Sequence, residues 1–161
     1  MSDFYALTVN DIDGQPVPLS DFEGSVCLIV NVASQCGLTN QYDGLRALQE
    51  QHQSDPFKVL AFPCNRSGNQ EPGSNEEIKA FANERYRVNF PMFDKIEVNG
   101  GGACPLYQWL KGSTDDNGDI KWNFAKFLIS ATGDVVGRFG PQVTPEELAQ
   151  TIAEEIERAR S

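Results

Sequence analysis

Cys36 is the residue of this chain best placed to do chemistry. It stands in Asn31-Val32-Ala33-Ser34-Gln35-Cys36-Gly37-Leu38-Thr39, where an apolar run ends in a small polar turn and a helical pattern follows. A thiol held where a strand hands over to a helix meets unpaired backbone N–H groups and the positive end of the helix dipole. Such surroundings favour the thiolate, which is the nucleophilic form. The other cysteines differ. Cys27, between Val26 and Leu28, reads as a small buried hydrophobe. Cys64 follows Phe62-Pro63, and Cys104 follows a Gly100-Gly101-Gly102 loop that suggests an exposed thiol. Position 39, three after Cys36, is threonine, and no pair of cysteines has Cys-x-x-Cys spacing, which disfavours a thioredoxin-type disulfide exchanger. The single histidine, His52, falls in the helical pattern after Cys36 and is a poor partner for a Cys–His dyad. One histidine and scattered cysteines give no zinc spacing.

Residues 6–9 and 17–20 flank Asp11-Ile12-Asp13-Gly14 and predict a hairpin with an Asp-Gly turn. Residues 26–32 are almost continuously apolar, as in a strand covered on both faces of a parallel sheet. Tyr42, Leu45 and Leu48 fall at helical spacing and predict a helix from residue 40 to about 53. Residues 57–62 predict a second buried strand, ended by Pro63. Ser74-Asn75-Glu76-Glu77 is a capping box with Ile78 and Phe81 behind it. A short helix is expected over 105–110, then a hairpin of 124–130 and 135–139 around Thr132-Gly133-Asp134. Thr144-Pro145-Glu146-Glu147 opens a last helix whose buried stripe is Leu148, Ile152 and Ile156.

The order predicts one α/β domain over 1–161, with a central mixed sheet flanked by helices and an N-terminal hairpin extension. In such sheets, ligands bind beyond the carboxyl ends of the parallel strands. Cys36 follows the first of these strands and residues 65–70 follow the second. If the 124–130 strand runs antiparallel, Trp122 and Asn123 start from the same edge.

Four separated segments, in order, carry a family resemblance: Asn31-Val32-Ala33-Ser34-Gln35-Cys36-Gly37, Phe62-Pro63-Cys64-Asn65, Gln70-Glu71-Pro72-Gly73-Ser74 and Lys121-Trp122-Asn123-Phe124-Ala125-Lys126-Phe127-Leu128. Together they resemble the glutathione peroxidase family. The resemblance implies a thioredoxin-like fold and reduction of hydrogen peroxide and organic hydroperoxides to water and alcohols, in defence against oxidative stress. It implies a peroxidatic cysteine or selenocysteine surrounded by Gln, Trp and Asn, which fall on Cys36, Gln70, Trp122 and Asn123. Cysteine, not selenocysteine, occupies the reactive position here. The resemblance implies no bound cofactor or metal, with glutathione or reduced thioredoxin as co-substrate. Peroxide attack places negative charge on the thiolate and the departing oxygen, and the two amides and the indole N–H can donate to it.

Thioredoxin-dependent members of the family usually carry a resolving cysteine in the helix after the Gln-Glu-Pro-Gly segment. Asn83 takes that place here, leaving Cys64 and Cys104 as candidates for a resolving thiol. After Asn65 the family usually has Gln-Phe, whereas this chain has Arg66-Ser67. The stretch 112–120 is short, as in the monomeric branch. A monomer is therefore expected, its active edge open to large substrates or to a protein partner.

Composition adds exclusions. With 40% hydrophobic and 22% charged residues among 161, the chain has the balance of a globular domain. Its net charge of −10 argues against nucleic acid or an anionic membrane as partner. No basic-then-apolar opening is present, and no apolar run approaches the ~20 residues of a membrane span, so a cytoplasmic protein with reduced thiols is expected. A redox sensor that passes oxidation from Cys36 to a partner protein would share the first chemical step. Rapid turnover with a small reductant distinguishes a scavenger from such a relay.

Overall fold

The structure is a computed structural model that describes residues 3–64, 73–114 and 118–160. Among them, β1 (Thr8–Asn10) and β2 (Pro16–Pro18) form an antiparallel hairpin, and β3 (Val26–Val32), β4 (Phe57–Pro63), β5 (Lys126–Ile129) and β6 (Val135–Phe139) form a second sheet. The order in that sheet is β4-β3-β5-β6, with β3 and β4 parallel and the other neighbours antiparallel. The helices are α1 (Gln41–Gln51), α2 (Asn75–Tyr86), α3 (Pro105–Gly112) and α4 (Pro145–Arg160).

The apolar run of β3 is buried at every position because both faces of the sheet are covered. Leu28, Val30 and Val32 of β3 and Val59 and Ala61 of β4 meet α1, α2 and α4 through Tyr42, Leu45, Ile78, Leu148 and Ile152. Cys27 and Ile29, with Leu60 and Phe62, meet Leu106, Tyr107 and Leu110 of α3 and the N-terminal Phe4 and Tyr5 on the other face. Burial pushes the Cys27 thiol up to about 12, so it is an inert core group, as its position in the run predicts.

The boundaries expected for β4 and β5 move. Pro63 closes β4 from within, paired with Val32. Its carbonyl oxygen faces outward and accepts Ile96 N–H at 2.9 Å, so its missing N–H lies on that outer side and the ladder to β3 continues. The strand expected over 124–130 begins only at Lys126, because Phe124 has φ 66°, in the left-handed region, where a strand cannot run through it. The caps form as the residues predict. Ser74 and Glu77 complete a reciprocal capping box on α2. The Thr144 hydroxyl accepts Glu147 N–H at 3.2 Å, ahead of Pro145. No helix among the described residues is long and apolar enough to cross a membrane.

Candidate active site

Cys36 lies just beyond the carboxyl end of β3 and is 9% exposed. α1 does not start at the thiol. A succession of turns intervenes, with Thr39 N–H on Cys36 O, Gln41 N–H on Leu38 O and Tyr42 N–H on Thr39 O at 2.9–3.1 Å. The backbone donor at the sulfur is therefore a turn amide, Leu38 N–H at 3.3 Å from Sγ, not the free N-terminus of a helix. The Thr39 hydroxyl holds this turn from inside: it accepts Cys36 N–H at 2.9 Å and donates to Ala33 O at 2.9 Å. Both bonds are buried.

The second donor comes from 86 residues away. Trp122 Nε1–H points at Cys36 Sγ at 3.3 Å. Trp122 is 36% exposed, so its ring forms one rim of the thiol's opening to solvent. Asn123, next in the chain, is fully buried. Asn31 of β3 donates from Nδ2 to the Trp122 carbonyl at 3.0 Å, and its own carbonyl accepts Phe124 N–H at 2.6 Å. A non-glycine residue at positive φ persists only where the surroundings over-determine it. The bond from Asn31 supplies that constraint to Phe124.

A buried lysine ties the flanks together. Lys126 Nζ donates to Gln41 Oε1 and Val143 O, each at 2.5 Å, and to Pro141 O at 3.3 Å, joining β5 to the start of α1 and to the segment before α4. Burial brings its ammonium down from 10.5 to about 8, against the opposing pull of Glu146 and Glu147.

The sequence-predicted residues divide. Cys36 and Trp122 meet, while Gln70, like Asn65 and Arg66, lies outside the described residues. Cys64 and Cys104 are not brought to Cys36. Cys64 is buried in the α3 cluster and Cys104 packs against that cluster, whereas Cys36 belongs to the cluster on the opposite face of the sheet. Cys104, expected as an exposed thiol, is half-buried at the N-terminus of α3, and burial raises its pKa. All four cysteines are free thiols. His52 caps the far end of α1, where its Nδ1 lies 2.7 Å from Asp55 Oδ2. The eleven residues of α1 put about 16 Å between its two ends.

Three positioning contacts escaped the sequence, although each left a trace. Asn31 and Lys126 are polar residues inside apolar strand runs, and a buried polar group needs a partner. Thr39 stands where a dithiol motif would place a second cysteine, and its hydroxyl has the reach of a turn cap.

Known proteins resemble this chain in sequence and in fold. The glutathione peroxidase family profile matches residues 4–111. Hydroperoxy fatty acid reductase gpx1 of Synechocystis sp. is 49% identical over 156 residues, covering 92% of each chain. The crystal structure of Trgpx in apo form is 37% identical, covers 96% of each chain and superposes with a TM-score of 0.78. A thiol:disulfide interchange protein of the thioredoxin family from Chlorobium tepidum TLS is 17% identical, covers 93% of this chain and 92% of its own, and has a TM-score of 0.70, a likeness of fold alone. With a thioredoxin-like sheet, a thiol beyond its parallel strand and an indole donor on that thiol, the chain belongs to the glutathione peroxidase family and is a peroxidase.

Proposed function

We propose that Cys36 is the peroxidatic thiol and that the protein reduces hydroperoxides at the expense of external thiols. The observation that carries this is the Trp122 Nε1–Sγ contact at 3.3 Å, joined by Leu38 N–H at the same distance. Two donors on one sulfur stabilise a thiolate and remain in place as negative charge moves to oxygen. The thiolate attacks one peroxide oxygen, the S–O bond forms as the O–O bond breaks, and sulfur loses two electrons. The departing oxygen takes a proton and leaves as water or an alcohol, and Cys36 becomes a sulfenic acid. A first external thiol displaces water from it to give a mixed disulfide, and a second thiol releases Cys36 and the external disulfide. Gln70 and Asn123 are the proposed further donors.

Separation of Cys64 and Cys104 from Cys36 by the sheet supports direct reduction by a thiol arriving at the open Trp122 rim. Glutathione and reduced thioredoxin both fit that class. Lys121, which precedes Trp122 in the chain, lines a cleft of about 230 Å³ with Ala125, Arg138, Phe139, Gly140 and Pro141. Its two cations and aromatic ring suit the carboxylate and chain of a fatty acyl hydroperoxide, the substrate class named for the Synechocystis relative. One equivalent of hydrogen peroxide added to the reduced protein, followed by intact mass with and without a sulfenic-acid trap, tests the proposal. The expected product is a trapped adduct on Cys36 that Cys36→Ser abolishes. An unmodified Cys36 beside another oxidised cysteine would overturn it.

A further inference from the structure

Asn31 is the one amide side chain in β3, and it is fully buried among apolar neighbours. Its bonds bracket Asn123: Nδ2 holds the Trp122 carbonyl at 3.0 Å and its backbone carbonyl holds Phe124 N–H at 2.6 Å. Phe124, at φ 66°, does not favour this turn by local preference. Trp122 is more than a third exposed, so packing alone constrains its ring weakly. The grip of β3 on the turn is what carries the indole to the sulfur.

We propose that Asn31 is a positioning residue for the peroxidase reaction: by clamping the backbone on both sides of Asn123, it aims Trp122 Nε1–H at Cys36 Sγ. It touches neither the thiol nor the peroxide, and acts through Trp122. The inference rests on Cys36 being the reactive thiol.

Asn31→Leu tests it. The side chain keeps its branched shape but has no polar atom, so nothing donates to the Trp122 carbonyl. The rate of Cys36 alkylation by iodoacetamide at pH 7, and the rate of sulfenic acid formation with hydrogen peroxide, are measured in the parent and in a Trp122→Phe background. Loss of a hydrogen bond to a charged group predicts a slowing of about tenfold in the parent. In the Trp122→Phe background the same change should slow either reaction by no more than about twofold, since the two residues act as one unit. An equal loss in both backgrounds would show that residue 31 acts through the general fold and would overturn the proposal, as would no loss in the parent. Asn31→Ser keeps a hydroxyl donor on a side chain too short to reach the Trp122 carbonyl and should give the same pattern. The unsubstituted protein provides a test that does not depend on either variant folding. The Asn31 side-chain amide protons should exchange slowly in NMR spectra and shift when Cys36 is alkylated, and fast exchange or an unmoved signal would overturn the clamp. Retained peroxide turnover in Cys36→Ser would instead remove Cys36 as the reactive thiol, a separate failure.

Discussion

Thr39→Val swaps a hydroxyl for a methyl of nearly the same size inside the Cys36 turn. The hydroxyl serves two buried backbone groups, Cys36 N–H and Ala33 O, each at 2.9 Å. Valine satisfies neither, and each buried group left without a partner costs about 1–3 kcal/mol. The two together cost about 2–6 kcal/mol, the lower figures applying if the turn opens enough to admit water. That is a large share of the about 5–15 kcal/mol that holds a typical domain folded. With a urea dependence of about 2 kcal/mol per molar, the unfolding midpoint should fall by about 1–3 M. Thr39→Ser keeps both bonds and loses one methyl group, about 0.8 kcal/mol, so its midpoint should fall by less than half as much. Urea unfolding followed by far-UV circular dichroism gives the midpoints. Iodoacetamide labelling of Cys36 below the transition reports the turn itself, and should change in the valine variant while staying near the parent rate in the serine variant. Equal midpoints for valine and serine would refute the reasoning, because the hydroxyl would then carry no part of the cost.

Other consequences are more local. Lys121→Glu reverses one cation of the cleft it lines, and should raise KM for a fatty acid hydroperoxide about tenfold while leaving the KM for hydrogen peroxide unchanged; parallel shifts for both substrates would separate the cleft from substrate recognition. Lys126 titrates near 8 when folded, below its ordinary 10.5, so between these values the unfolded chain binds more protons and the group's contribution to stability rises with pH. Cys27, pushed to about 12, works in the opposite sense above its ordinary 9.0, which leaves pH 8–9 as the window for Lys126. Across that window the stability of the parent should gain on Lys126→Met by up to about 1 kcal/mol, measured by urea unfolding at each pH, and a constant difference would contradict the shift.

Most of the secondary structure was legible in the chain because its signals are local. The apolar run of β3, the Ser74–Glu77 box and the Thr144-Pro145 start of α4 depend on neighbours within a few residues, and each formed where its pattern lies. The start of β5 was not legible. Phe124 has strong strand propensity, yet a bond from Asn31, 93 positions earlier, accompanies its left-handed conformation. Cys36 was recognisable as a thiol at a strand end, and the family resemblance pointed to the Trp122 indole as a donor beside it. The backbone donor was not legible: it is the amide of Leu38, set by turns that Thr39 closes.

The sequence by itself determined the order of strands and helices, the place of a thiol at the end of the first parallel strand and the family motifs around it, since periodicity, capping and residue identity are written along the chain. Tertiary structure alone decided that the Leu38 amide turns onto the sulfur, that Cys64 and Cys104 lie across the sheet from Cys36, and that Asn31, Thr39 and Lys126 find their partners. Burial obliges a polar group to be paired, but only closure of the fold brings the partner within 3 Å, and no spacing in the chain encodes that meeting.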